Sequence, residues 1–252
     1  MEFAYKTDKG KVRQLNEDNG GVFLNDNKQL LAIVADGMGG HKAGDVASSI
    51  VISLLQKKWS KQSPIQTADE AESWLEETIQ LANEAVYEQA EQNEECSGMG
   101  TTLVAAICTD TFTTIAHIGD SRCYALTDLD FSQLTEDHSY VNELVRSGQI
   151  SREDAEHHPR KNVILRALGT QMKVNIDMKT IILEEHDQLL LCTDGLCNKV
   201  HDQELADVLR NSNQAINEKA NYLIDLANER GGEDNITLAI VNYGGESGGS
   251  QC

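Results

Sequence analysis

Long apolar runs are missing from this chain of 252 residues. None approaches the roughly 20 consecutive apolar residues that a helix needs to cross a bilayer. Basic residues are scarce: 21 Lys and Arg stand against 41 Asp and Glu, a formal net charge of −20. A phosphate backbone or an anionic lipid surface would be repelled, which argues against nucleic acid and membranes as partners. The six cysteines include no Cys-x-x-Cys pair, so neither a redox dithiol nor a zinc ribbon is encoded. Cys108, Cys123 and Cys192 sit inside apolar runs and read as core residues. The chain opens on charged and polar residues, and a cytoplasmic, reducing location is the expectation. Cys252 at the far end reads as a passive thiol.

Against this background, acids recur where apolar runs stop. Leu30-Leu31-Ala32-Ile33-Val34-Ala35 leads into Asp36-Gly37-Met38-Gly39-Gly40, and Leu189-Leu190-Leu191-Cys192-Thr193 leads into Asp194-Gly195. Each reads as a buried strand ending on an acid and a glycine. The glycine lets the backbone approach closely, so that its carbonyl can serve as a ligand. Asn16-Glu17-Asp18, Gly119-Asp120-Ser121-Arg122 and Gly232-Glu233-Asp234-Asn235 also flank apolar segments. A single Asp-Gly is ordinarily a turn. Five acid-bearing turns beside strands are another matter, because crowded carboxylates repel each other unless cations neutralise them.

The periodicity supplies a scaffold. His41–Lys58 carries Ala43, Val46, Ala47, Ile50, Val51, Leu54 and Leu55 at helical spacing, and 68–92 repeats the pattern after Pro64. Strands are expected at 101–108, 113–118 and 123–127, joined by short turns, and later at 181–183, 189–193 and 236–241. Short helices are expected at 139–148 and 151–158, the second opened by the capping pattern Ser151-x-x-Asp154. Two more should span 202–210 and 217–230. Strands in runs and helices in pairs indicate an α+β fold. The ligand-type acids span residues 17 to 234, so residues 1–243 are read as one domain. The Gly- and Ser-rich segment 244–252 reads as a disordered tail.

Taken in order, Thr7-Asp8-x-Gly10-x-x-Arg13-x-x-Asn16-Glu17-Asp18, Asp36-Gly37-Met38-Gly39-Gly40-His41, Gly98-Met99-Gly100-Thr101-Thr102, Gly119-Asp120-Ser121-Arg122, Asp194-Gly195 and Gly232-Glu233-Asp234-Asn235 resemble the metal-dependent protein phosphatases of the 2C type, in their compact bacterial form. The resemblance spans about residues 2–242. It implies two packed antiparallel sheets, each covered by a helix pair, in a four-layer αββα sandwich with metals in a cleft at one edge. It also implies hydrolysis of phosphoserine and phosphothreonine by a water that bridges two divalent cations roughly 3.5–4 Å apart and attacks phosphorus in line. Oxygen-rich ligands favour manganese or magnesium. Under this resemblance Asp36 bridges the metals, the Gly37 carbonyl is a neighbouring ligand, and Asp194 and Asp234 complete the second metal's shell. Glu17 and Asp18 act through metal-bound waters, and Asp120 joins Asp194 around a third, weaker metal. An alternative for Asp120 is a turn aspartate paired with Arg122.

Arg13 is expected to grip phosphate oxygens with its forked N–H groups. His41 is a candidate general acid for the leaving alkoxide, the alternatives being another residue or a metal-bound water, and a place capping or packing the start of its helix is an equal reading of His41. The eukaryotic branch has a histidine directly after Asp-Gly, where this chain has Met38. Residues 139–168 resemble the family's mobile flap. They hold Arg152, His157, His158, Arg160 and Lys161, a basic island in an acidic protein. Arg160 and Lys161 are candidate contacts for anionic phosphopeptides, the alternative being local pairing with Glu153, Asp154 and Glu156. The implied partners are phosphorylated proteins and an opposing, membrane-anchored serine/threonine kinase, with a monomer as the expected state. Rival functions are a phosphatase dedicated to one anti-sigma-antagonist, a non-catalytic module retaining the fold, and a structural calcium-binding protein. The first is disfavoured by the intact Arg13 motif and the flap, the second by the complete set of acids, and the third by Arg13.

Overall fold

The structure is a computed structural model that describes residues 1–39 and 43–244. Its eleven strands are β1 (Glu2–Asp8), β2 (Asp18–Leu24), β3 (Leu30–Met38), β4 (Gly100–Thr101), β5 (Leu103–Cys108), β6 (Thr113–Ile118), β7 (Arg122–Leu126), β8 (Phe131–Gln133), β9 (Asp177–Ile181), β10 (Gln188–Cys192) and β11 (Ile236–Asn242). The helices are α1 (Ala43–Trp59), α2 (Ala68–Gln92), α3 (Tyr140–Arg146), α4 (Arg152–Glu156), α5 (Asp194–Cys197), α6 (Asp202–Arg210) and α7 (Ile216–Glu229). One sheet runs β1-β11-β10-β7-β8. The other runs β2-β3-β5-β6-β9, with β4 added at the end of β3. Every pairing is antiparallel.

The layering follows from strands with two apolar faces. In β3, Leu31, Ile33 and Ala35 pack into the core beneath α1 and α2, while Leu30, Ala32 and Val34 enter the core between the sheets. The same alternation divides β10: Leu190 and Cys192 face the core under α6 and α7, and Leu189 and Leu191 face the other sheet. A strand sandwiched on both sides reads as a continuous apolar run, which is how these segments appear in the sequence. Three stacked cores therefore give four layers, αββα. Trp59 closes the outer core from the last position of α1. It is fully buried, and its indole N–H donates to the Phe23 carbonyl at 3.0 Å. Such a side chain contributes on the order of 2–3 kcal/mol by burial alone. The helix α2 begins where Thr67 caps it, its hydroxyl accepting the Glu70 N–H.

Antiparallel pairing also decides where the acids meet. Asp18, the first residue of β2, lies directly opposite Asp36 near the end of β3. The end of β6, which leads into Asp120, lies beside the start of β5. The end of β10, which leads into Asp194, lies beside the starts of β7 and β11. Alternating strand directions thus bring five separate turns to one edge of the sandwich.

Several expectations shift by a few residues. The strand expected at 101–108 is interrupted at Thr102, whose backbone N–H donates to the Asp36 carbonyl instead of continuing the ladder. The strand expected at 181–183 is β9, four residues earlier, pairing with β6. Cys108, Cys123 and Cys192 are buried core residues, and the five cysteines among the described residues are all free. His41, most of the 244–252 segment and Cys252 lie outside the described residues.

Candidate active site

Glycine makes the first part of the site possible. Gly37 in β3 and Gly44 in α1 touch backbone to backbone: a Cβ on Gly44 would lie 2.7 Å from the Gly37 carbonyl oxygen and 2.8 Å from Glu17 Oε1. The helix therefore starts against the strand that carries Asp36. Glu17 is fastened from three sides. Its N–H donates to Asn235 Oδ1 (2.8 Å), and its carbonyl accepts from Ser48 Oγ (2.7 Å) and the Gly37 N–H (3.2 Å). The amide of Asn235 also donates to the carbonyls of Lys9 and Leu15. One side chain from the Asp234 turn thereby sets the course of the loop that carries Arg13, Glu17 and Asp18.

The carboxylates converge here. Thr193 Oγ1 donates to Asp18 Oδ2 at 2.7 Å, and Asn198 Nδ2 donates to Asp194 Oδ2 at 3.1 Å. The carboxyls of Asp36 and Asp194 lie close enough to influence each other's ionisation. Burial, and then the charges of Asp18, Asp194 and Asp120, raise the Asp36 carboxyl well above its ordinary range. Burial pushes Asp18 up to about 7, Asp120 up to about 7 and Asp194 up to about 6, in each case assisted by neighbouring carboxylates. Glu17 is raised as well, first by burial. Asp36 and Asp194 nevertheless keep a partly accessible edge, so the cluster opens to solvent on one side.

Among the described residues, four carboxylate oxygens in this cluster are buried with no hydrogen-bond partner: Glu17 Oε1, Asp18 Oδ1, Asp120 Oδ1 and Asp194 Oδ1. Orphaned buried acceptors are expensive and rare. Four of them together, on side chains that already repel, are what hard divalent cations with oxygen ligands would relieve. The donor set fits such ions and, among the described residues, contains no thiol or imidazole, unlike a zinc site.

Other expected residues take individual positions. Arg13 lies at the rim, where its NH2 group donates to Asp234 Oδ2 at 2.8 Å; one of its five N–H groups is used in this way. Arg122 does not pair with Asp120. It holds Asp137 through Nε and NH2 at 2.7–3.1 Å and reaches Tyr124 Oη through NH1, so the turn-aspartate alternative for Asp120 loses its partner. In the 139–168 segment, Ser151 and Asp154 form the expected capping box. Arg160 lies over the Tyr140 ring at 5.7 Å. Lys161 comes near Glu233, whose carboxyl is held low first by Lys199 and then also by Lys161. Among the described residues neither Arg160 nor Lys161 forms an ion pair with Glu153, Asp154 or Glu156.

The sequence profile of the protein phosphatase 2C family matches residues 8–228. The chain belongs to the protein phosphatase 2C family. It is 50% identical over 241 residues to the serine/threonine phosphatase stp of Listeria innocua, covering 96% of this chain and 95% of that one. The crystal structure of the serine/threonine phosphatase Stp1 from Staphylococcus aureus superposes with a TM-score of 0.92 at 39% identity, covering 97% and 95% of the two chains. The catalytic domain of the serine/threonine protein phosphatase PstP, solved with two manganese ions, superposes with a TM-score of 0.84 at 33% identity over 97% and 98%.

Within this 2C-type site, sequence reasoning passed over the supporting residues. Thr193, Asn198, Ser48 and Asn235 each fix a carboxylate or its backbone, yet none belongs to a residue type that announces chemistry. The signal for Thr193 is its position beside Asp194, and for Asn235 its place in the Gly232-Glu233-Asp234-Asn235 motif. A further group, His117, His138 and Asp177, none of them among the clustered acids, brings ligand-type atoms within 4.8 Å of one another, and nothing in their spacing along the chain suggested it.

Proposed function

We propose that the chain hydrolyses phosphoserine and phosphothreonine in proteins, using manganese or magnesium ions held by the acid cluster. The observation that carries this reading is the convergence of four orphaned carboxylate oxygens beneath a rim arginine. Asp36, the Gly37 carbonyl, Asp194 and Asp234 would hold the two principal cations, and Asp120 with Asp194 a third and weaker one. Bound divalent cations lower the pKa of water and neutralise phosphoryl oxygens.

The chain's own residues supply the rest. Glu17 and Asp18 present acceptors that orient water, with Asp18 held in place by Thr193. The remaining N–H groups of Arg13 bind non-bridging phosphate oxygens. His41 is our candidate for returning a proton to the leaving alkoxide. Residues 1–243 act as one catalytic unit, in which 139–168 is the flap. Its exposed Arg160 and Lys161 favour anionic phosphopeptides. The enzyme works as a cytoplasmic monomer and opposes a serine/threonine kinase.

The test is hydrolysis of an aryl phosphate and of phosphoserine, phosphothreonine and phosphotyrosine peptides, first in chelator and then with manganese or magnesium. The expected result is no turnover in chelator, recovery with either ion, and a preference for phosphoserine and phosphothreonine. Full turnover in chelator, or a preference for phosphotyrosine, overturns the reading.

A further inference from the structure

His138 lies immediately before the flap and is buried. It holds both backbone polar groups of Gly119, the residue before Asp120. Its own N–H donates to the Gly119 carbonyl at 2.8 Å, and its ring Nδ1 accepts the Gly119 N–H at 3.1 Å. Gly119 has φ +110°, and the Thr102 side chain fills the place where a Cβ would stand. Its conformation is thus open only to glycine, and His138 selects one geometry from that freedom.

The other side of the ring faces the flap. Nε2 lies 3.2 Å from Asp177 Oδ2, and Asp177 Oδ1 accepts from Arg166 NH1 at 3.1 Å. The His138 carbonyl accepts the Leu165 N–H at 2.7 Å. Because Nδ1 must be unprotonated to accept from Gly119, the single ring hydrogen sits on Nε2 and points to Asp177. The carboxylate thereby fixes the tautomer. Arg166 NH1 also lies 3.3 Å from Nε2, and with that nitrogen protonated its donor is directed to Asp177.

This bonding argues against a metal centre at His117, His138 and Asp177. Both nitrogens of His138 are engaged, His117 Nε2 is held by the Glu136 carbonyl at 2.9 Å, and the two rings stack at 4.4 Å. Arg166 already supplies positive charge to Asp177.

We propose that His138 is a positioning residue for Asp120: it fixes Gly119, and so the aim of the unpartnered Asp120 Oδ1, and it ties that aim to the returning limb of the flap through Asp177 and Leu165. The inference rests on reading Asp120 as a ligand of the third, weaker cation. Two substitutions separate the ends of the ring. In His138→Asn the amide oxygen stands near Nδ1 and keeps an acceptor for Gly119, without reaching Asp177. In His138→Gln the amide nitrogen stands near Nε2 and keeps a donor to Asp177, without an acceptor for Gly119.

Manganese affinity is measured by calorimetry on the full chain, stripped and reloaded, together with kcat and KM for a phosphopeptide and the melting temperature in chelator. Asp120→Ala serves as the reference. His138→Gln is expected to weaken the weakest class of manganese sites about tenfold, to lower kcat with KM unchanged, and to leave the tighter sites alone. His138→Asn is expected to keep most of the weak-site affinity. Wild-type weak-site affinity in His138→Gln overturns the inference. So do equal losses in both variants accompanied by equal drops in melting temperature, which mark a structural role. If Asp120→Ala keeps the weak class, the ligand reading falls as well. A zinc site abolished by Asp177→Ala but intact in Asp120→Ala would replace the inference with a metal centre at His138.

Discussion

Asp36 and Asp194 hold charge that the fold by itself disfavours. Both carboxyls are raised, first by burial and then by neighbouring acids, so each one ionised without a cation destabilises the native state. Asp36→Asn and Asp194→Asn are therefore expected to act in opposite directions on stability and activity. Losing residues that merely orient ligands costs about 10–100-fold, so losing a ligand should lower turnover at saturating manganese by at least about 100-fold. The same variants in chelator should unfold at higher urea concentration than the wild type, by an increment on the order of 1 kcal/mol. Near wild-type turnover in either variant would remove that residue from the cation site. Arg13 offers a separate check. Its attachment to Asp234 aims it at the cluster, and Arg13→Ala should raise KM for phosphorylated substrates and weaken inhibition by inorganic phosphate while manganese affinity changes less. The acids that converge at the strand ends were legible because an acid and a glycine after an apolar run is a visible pattern. The partners were not: Arg122 finds Asp137 fifteen residues away, and Arg13 finds Asp234 across 221 residues. Only three-dimensional pairing decides such matches.

Elements differ in how openly they declare themselves. The bounds of α2 and α6 agree with the sequence reading because both carry strong helical periodicity, and α2 adds a capping threonine. The seven-residue strands β1 and β2 did not stand out. Their residues alternate between buried, half-buried and exposed, and β2 contains adjacent glycines, so neither shows the continuous apolar run of β3. Their strand character comes from pairing with β11 and β3. The junction of α1 and β3 is also invisible in sequence, since it consists of two glycines in contact. Gly44→Ala would drive a methyl into the Gly37 backbone and should destabilise the protein by about 1–3 kcal/mol. Because the displaced helix also borders Glu17, manganese affinity should fall along with the urea midpoint. An unchanged midpoint would mean that α1 can slide freely on β3. The 139–168 segment makes the complementary case. Its Arg160 and Lys161 are exposed and, among the described residues, form no ion pair with the acids of their own segment, so replacing both by Gln should lower phosphopeptide hydrolysis several-fold and aryl phosphate hydrolysis by a smaller factor. Added salt should narrow the gap, because the attraction is screened.

At the scale of the whole molecule, the acid cluster couples folding, protons and cations. Without cations, Asp18 and Asp120 titrate near 7 and Asp194 near 6 in the folded protein, against about 3.9 for an unfolded aspartate. Between these limits the native state binds more protons than the unfolded chain, so the stability of the chelated protein falls as pH rises from about 4 to about 7. Below about 4 both states are protonated at these sites, and above about 7 both are ionised, so the dependence flattens at each end. Cations reverse the slope, because they bind the ionised carboxylates of the folded state and displace the protons. The expected outcome is a crossed pair of curves. In chelator the melting temperature should drop by several degrees between pH 5 and pH 7.5, at roughly 2–4 °C for each kcal/mol. With millimolar manganese it should hold or rise over the same interval. Histidines such as His117 and His138, which burial lowers, run the other way: they stay neutral in the fold and favour unfolding as pH falls below about 6.5. They therefore steepen acid unfolding in both conditions and cannot produce the crossing. Differential scanning measurements across this range, with and without manganese, check the argument. Parallel curves would show that the buried carboxylates are not where the cations bind.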